Sequence, residues 1–253
     1  MTINSGRLLG FALALAVVSP AGHAAPQVTP SGDGVPENLL RIELQLDTPL
    51  ASPLDMHHVV LLDEAGAPID DAFLDVPLHS RDGMRVSILM HPGRIKTGVG
   101  PNIALGMALH SGETVVLAID DPQFPEPIRK TWVVGPALRQ RIDLQRWAIR
   151  VPAAASREPL RIDFPAALDS SAAQMIAVAA SDGRRLAGQV TLAKGETQWR
   201  FIPSLQWRAG TYELRVHPSL EDPQGNRLCS AFEQPGQSIK SCRDGGRITF
   251  AVP

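Results

Sequence analysis

Apolar and polar side chains alternate along much of this chain. Leu40, Ile42, Leu44 and Leu46 alternate with Arg41, Glu43 and Gln45. Leu160, Ile162 and Phe164 alternate with Arg161 and Asp163. Tyr212, Leu214 and Val216 alternate with Glu213, Arg215 and His217. A period of two with one polar face predicts half-buried β-strands. No segment carries the longer period of an extended amphipathic helix. The 21 Gly and 22 Pro punctuate short apolar runs, and turn signals spaced in this way predict an all-β sandwich architecture.

The pattern occurs twice. LRIEL (40–44) returns as LRIDF (160–164), and VVLLDEAGAPI (59–69) returns as IAVAASDGRRL (176–186). SGETVVLAID (111–120) returns as RAGTYELRVH (208–217), and TWVVGP (131–136) as TFAVP (249–253). Most of these offsets are roughly 120 residues, the length of one sandwich domain. Each copy carries a long insertion at a different place, around 91–112 in the first and 225–246 in the second. The reading is two tandem β-sandwiches, 37–138 and 139–253, joined by the short stretch GPALRQRIDLQRW and preceded by a disordered leader at 26–36.

Residues 1–25 read as a secretory signal peptide. Arg7 is followed by the apolar run LLGFALALAVV (8–18), which is too short to span a bilayer, and then by Pro20 and small residues. The expected location is therefore periplasmic or secreted, with no integral membrane segment once the leader is cleaved. Cleavage removes only Arg7 from the charge count and moves the net charge from −2 to −3. Such a balance gives no drive toward nucleic acid. Cys229 and Cys242 are the only two cysteines. In an exported chain an even count reads as a disulfide, here a staple across the second inserted loop.

That loop begins in SLEDPQGNRL (219–228), where Glu221, Asp222 and Asn226 surround Gly225. Pro223 presets φ, Gly225 allows positive φ, and Asp222 can bond backbone two residues on, which is turn chemistry. The alternating acids and closing Glu of an EF-hand loop are missing. A cation site at a domain junction is the other reading.

The stretch WRFIPSLQWRAGTYELRV (199–216) followed by LEDPQGN (220–226) resembles bacterial Ig-like domains of the surface-layer type. The shared positions are Gly210, Tyr212, Leu214, Val216, Leu220, Asp222, Gly225 and Asn226. The first copy departs from the pattern, with Val115 at the tyrosine position and PGRIKTG (92–98) in its insertion. The whole chain is similar to a group of exported bacterial proteins of unassigned function. The resemblance implies a fold and a compartment, and a tyrosine corner at Tyr212. It implies no reaction.

Candidate chemistry is sparse. In PGRIKTG, Arg94 and Lys96 would point to one side of an extended stretch and could hold an anion; a solvated turn pairing an acid such as Asp82 is the alternative. His57, His58, His91 and His110, with Met56, Met84, Met90 and Met107, raise a periplasmic copper-type site in the first copy. Against that, adjacent His57 and His58 would face opposite sides of a strand. No G-x-S-x-G or H-E-x-x-H motif is present, so no catalytic residue is assigned and no cofactor is expected. Trp132, Trp147 and Trp199 read as core, and Trp207 as the tryptophan of a binding surface. The expected role is non-enzymatic: binding or scaffolding toward an envelope protein or glycan.

Overall fold

A computed structural model describes residues 25–95, 100–232, 243 and 245–253. Of the expected leader, residues 1–24 lie outside this set, as do Lys96 and Cys242.

Among the described residues the first half contains eight strands: β1 (Gln27–Thr29), β2 (Gly34–Pro36), β3 (Arg41–Gln45), β4 (Val59–Leu62), β5 (Leu78–His79), β6 (Arg85–Leu89), β7 (Thr114–Ile119) and β8 (Ile128–Gly135). The second contains β9 (Ala148–Arg150), β10 (Leu160–Asp163), β11 (Ile176–Ala180), β12 (Gly188–Ala193), β13 (Gln198–Pro203), β14 (Gly210–Val216) and β15 (Gly246–Val252). Two short helices, α1 (Gly100–Leu105) and α2 (Ala172–Met175), lie in connections.

Strand order defines the class. One sheet of the first half runs β1-β3-β6-β5 and the other β2-β8-β7-β4. In the second half the sheets run β12-β13-β10-β9 and β11-β14-β15. Lettered A to G in chain order, with β1 and β2 taken as two segments of strand A, each half places A, B, E and D in one sheet and C, F and G in the other, β2 adding to the second sheet of the first half; this is the immunoglobulin sandwich. The repeated segments fall on equivalent strands: B on β3 and β10, C on β4 and β11, F on β7 and β14, G on β8 and β15. The insertions fall between E and F in the first half and between F and G in the second.

The alternation seen in sequence becomes the core. Ile42 and Leu44 of β3, Val86 and Ile88 of β6, and Val115, Leu117 and Ile119 of β7 are almost fully buried. Their counterparts are Leu160 and Ile162, Trp199 and Phe201, and Leu214 and Val216. Buried apolar residues form two clusters, one from Val28 to Val134 and one from Trp147 to Val252. Each large side chain so buried stabilises its half by roughly 1.5–3 kcal/mol.

Residues 26–36 are not a disordered leader. β1 pairs antiparallel with β3, and β2 pairs parallel with β8. Val28 and Val35 are both buried, and the Trp132 indole donates to the Pro30 carbonyl at 2.9 Å. The segment is polar on average, but two well-spaced valines suffice to seat it on an open edge of each sheet.

Trp207 also departs from expectation. It is 2% exposed and lies edge-on to Tyr212, with ring centroids 5.3 Å apart, and against Phe201 and Phe250. Its indole donates to the Glu158 carbonyl at 2.9 Å. Its place just before the loop into TYELRV suggested exposure, but the strand-like pairing of Trp207 with Ala155 and Ser156 turns the ring inward. Beside it the Tyr212 hydroxyl donates to the Arg208 carbonyl at 3.0 Å and accepts from the Arg208 N–H at 3.2 Å. Replacing Tyr212 by Phe removes these bonds and keeps the ring. The expected loss is about 1 kcal/mol of unfolding free energy in urea titrations; an unchanged midpoint would show the hydroxyl to be idle.

Candidate functional site

The polar chemistry of this chain converges on the seam between the two halves. Arg41 and Glu43 stand on β3, on the strand face opposite Ile42 and toward the second half. Asp169 and Ser170 precede α2, and Glu221 to Asn226 follow β14. The Arg41 guanidinium donates from Nε and Nη2 to Asp169 Oδ2 at 3.0 and 2.8 Å. The same Nη2 lies 2.7 Å from Glu221 Oε1, and Glu221 Oε2 receives Arg227 Nε at 3.0 Å. Glu43 accepts from the Ser170 hydroxyl across the seam.

The turn DPQGN is the other part of the junction. Asp222 Oδ1 accepts from the N–H groups of Gln224 (3.0 Å) and Asn226 (2.8 Å), and Oδ2 accepts from Asn226 Nδ2 at 2.8 Å. Asn226 Nδ2 also donates to the Leu138 carbonyl at 2.8 Å, and its Oδ1 accepts from Phe232 N–H. Asn38, fully buried, brackets the Leu138 peptide by giving Nδ2 to its carbonyl and accepting its N–H. The linker is thereby gripped from both sides. The Pro223 carbonyl accepts the Leu40 N–H at 3.0 Å. Gly225 has φ +78°, so the turn favours glycine, and a Cβ there would sit 2.7 Å from Leu40 Cδ1 and push that side chain aside.

A second contact lies on the β12–β13 hairpin. Glu196, 4% exposed, accepts from the Ser31 N–H at 2.8 Å and the Ser31 hydroxyl at 2.6 Å. Gly195 abuts Gly32 so closely that a Cβ would come within 2.6 Å of the Gly32 Cα.

The electrostatics follow from burial. Burial alone would lower the Arg41 pKa, but Asp169 and Glu221 outweigh it and hold it above its ordinary value. Burial would raise Asp169, but Arg41 and the bonds from Ser171 hold it below the usual carboxylate range. Glu43 goes the other way: burial and the Asp169 charge push it up, only partly opposed by Ser170, Arg85 and Arg41. Burial likewise pushes Asp222 up to about 6, against the three hydrogen bonds it accepts.

The remaining sequence candidates do not converge. Arg94 is 5% exposed and sits in the 3-10 turn Pro92–Arg94, not in an extended stretch. Its Nη2 donates to the Met107 carbonyl at 3.3 Å, so Arg94 is neither the exposed anion ligand nor the solvated turn residue that PGRIKTG suggested; Lys96 lies outside the described residues. His91 caps this turn by accepting from Gly93 N–H. The side chain of His57 is 95% exposed and pairs with Asp55, which lies 3.8 Å from His58. His110 is exposed on the loop before β7. Among the described residues no group of three or more His, Cys, Asp or Glu is arranged to hold a metal ion, and no helix is long and apolar enough to cross a membrane. The sequence reading missed Arg41, Glu43, Asn38, Asp169 and Ser31. The available signal was an arginine and a glutamate on the polar face of an otherwise well-patterned strand.

The geometry defines a pair of immunoglobulin-like sandwiches joined through a polar seam. No family model matches the chain, and no curated protein matches it in sequence. Solved structures do. A biofilm-associated protein (BSP domain) superposes with TM-score 0.27 at 13% identity, covering 76% of this chain and 26% of that one. The S-layer protein rSbsC(31-844) gives 0.27 at 8% identity, covering 76% and 24%. A chimeric titin Z1Z2 gives 0.25 at 10% identity, covering 91% and 96%. This chain thus spans about a quarter of the biofilm-associated and S-layer structures. Strand order, not these overlaps, sets the class.

Asp222 sets a pH dependence. Its pKa rises from an ordinary 3.8 to about 6 on folding, so between those values the folded chain binds more protons than the unfolded one. Its contribution to stability is therefore full below about pH 4 and declines as pH rises through about 6. Measured against Asp222→Asn by urea unfolding, the wild-type advantage should shrink by up to about 3 kcal/mol between pH 4 and pH 7. A pH-independent difference would contradict this account.

Proposed function

We propose that this chain is an exported, non-enzymatic protein of the cell envelope that binds or scaffolds through two Ig-like domains held as one rigid unit. The domains are 37–138 and 139–253, with β1 and β2 completing the first. The observation that carries this reading is the use of the polar side chains. Arg41, Glu43, Asp169, Glu221, Asp222 and Asn226 are engaged with one another or with the linker, which serves rigid spacing and leaves loops and strand edges for contact. The single basic residue Arg7 and the short apolar segment that follows it support export, to the periplasm or beyond. The partner class is an envelope protein or glycan.

A Cys229–Cys242 disulfide belongs to the same reading. The described residues include no free cysteine, and a bond closing this short loop would add about 3 kcal/mol. The long connection between β14 and β15 needs such a crosslink more than the shorter turns do.

The test is export itself. A C-terminally tagged chain produced in a bacterial host should be recovered from the envelope or medium with its N-terminus at or next to Ala25. It should migrate faster without reductant than with it, and Cys229→Ser should abolish that difference. Intact precursor held in the cytoplasm, or thiols that alkylate fully without reduction, would overturn the reading.

A further inference from the structure

The small net charge hides a strong polarity. Residues 26–138 carry 7 Lys+Arg against 15 Asp+Glu, whereas residues 139–253 carry 16 against 11. The first half is at −8 and the second at +5.

The structure concentrates each charge. In the second half Arg161 lies directly opposite Arg150 on one side and opposite Arg200 on the other. Leu160 and Ile162 point into the core, so Arg161 and its two cross-strand neighbours all face solvent from β9, β10 and β13. Like charges directly opposite one another on paired strands are destabilising, and adjacent strands stand only about 4.8 Å apart. Local relief is partial. Arg150 Nε lies 3.3 Å from Asp163 Oδ2, and Arg200 Nε donates to Gln198. Arg161, at the centre, makes no hydrogen bond or ion pair with a described residue and has only the longer-range field of Asp163. Next along the same face of β13 is Ile202, an exposed apolar side chain.

In the first half the connection between β4 and β5 reads DEAGAPIDDAFLDV (63–76), with five acids and no base. Glu64, Asp70, Asp71 and Asp75 are exposed, and none of them forms an ion pair with a described residue. Beside them Val76 is 64% exposed and Leu78 50%. This surface is acidic with an apolar margin, and the arginine row is basic with one.

We propose that the arginine row Arg150–Arg161–Arg200 docks the acidic 63–76 segment of a second copy of this chain. The occupant follows from charge complementarity: the same polypeptide presents both faces, with matching apolar margins. The contact is heterologous, because the two faces are different surfaces, so copies join head to tail into an open chain or a ring. It deepens the scaffolding reading and rests on it. The test below is done on purified chain, so its failure leaves the export result standing.

The test is sedimentation velocity of the exported chain at about 20 mM and about 500 mM salt, where screening lengths differ severalfold. Wild type should assemble with rising concentration at low salt and disperse at high salt. Arg150→Glu/Arg161→Glu, and separately Glu64→Lys/Asp70→Lys, should each weaken association at least tenfold. Mixing the two variants should rebuild the wild-type contact between the native acidic face of the first and the native arginine row of the second, and so restore an association that neither variant shows alone. All substituted side chains face solvent, so matching circular-dichroism spectra identify variants that have folded. Wild type that stays monomeric at low salt, assembly untouched by both charge reversals, or retention of monomeric wild type on an acidic polysaccharide through Arg161 would each overturn the proposal.

Discussion

The arrangement of this molecule depends on one guanidinium. Arg41 leaves the first sandwich from β3 and enters a site built entirely by the second, between Asp169 and Glu221. Two carboxylates this close would repel each other without it. A pair of acids at a domain junction suits a metal ion, and here a side chain supplies the positive charge. Removing one member of such a desolvated set costs more than the set contributes, because the remaining charges stay buried and unpaired. That asymmetry favours one specific docked geometry.

Around this interaction the backbone does most of the positioning. Asn38 and Asn226 hold the linker peptide of Leu138 from opposite sides. Gly195 lets the backbones of the halves approach more closely than a side chain would permit, and Gly225 supplies the positive φ of the turn that meets Leu40. The Ser31–Glu196 contact adds a second point of attachment. Two separated attachments and a gripped linker restrict both bending and twisting, so the second half is held in place with its arginine row on a solvent face.

Much of the fold was legible because period-two patterning and local turn chemistry are local properties. The alternation at 40–46 and 160–164 marks strands B of each half, and the repeated motifs mark equivalent strands. The turn at 222–226 was readable as a turn because Asp222, Pro223, Gly225 and Asn226 each carry a backbone preference of their own. What that turn touches was not readable, because Leu40 and Leu138 lie far away in sequence. Trp207 and Arg94 were misplaced for a related reason: a position beside a loop or in a glycine-flanked stretch predicts exposure only where the chain does not fold back over it. Residues 26–36 were misplaced because an edge strand needs only one or two buried side chains, fewer than periodicity can register.

The central claim is that the two sandwiches form one rigid body. Residual dipolar couplings of the isotope-labelled exported chain, measured at high salt to keep it dispersed, test it directly. The account predicts that a single alignment tensor fits the amides of both halves in the wild type and that Arg41→Ala splits it into two. Two independent tensors in the wild type would contradict it.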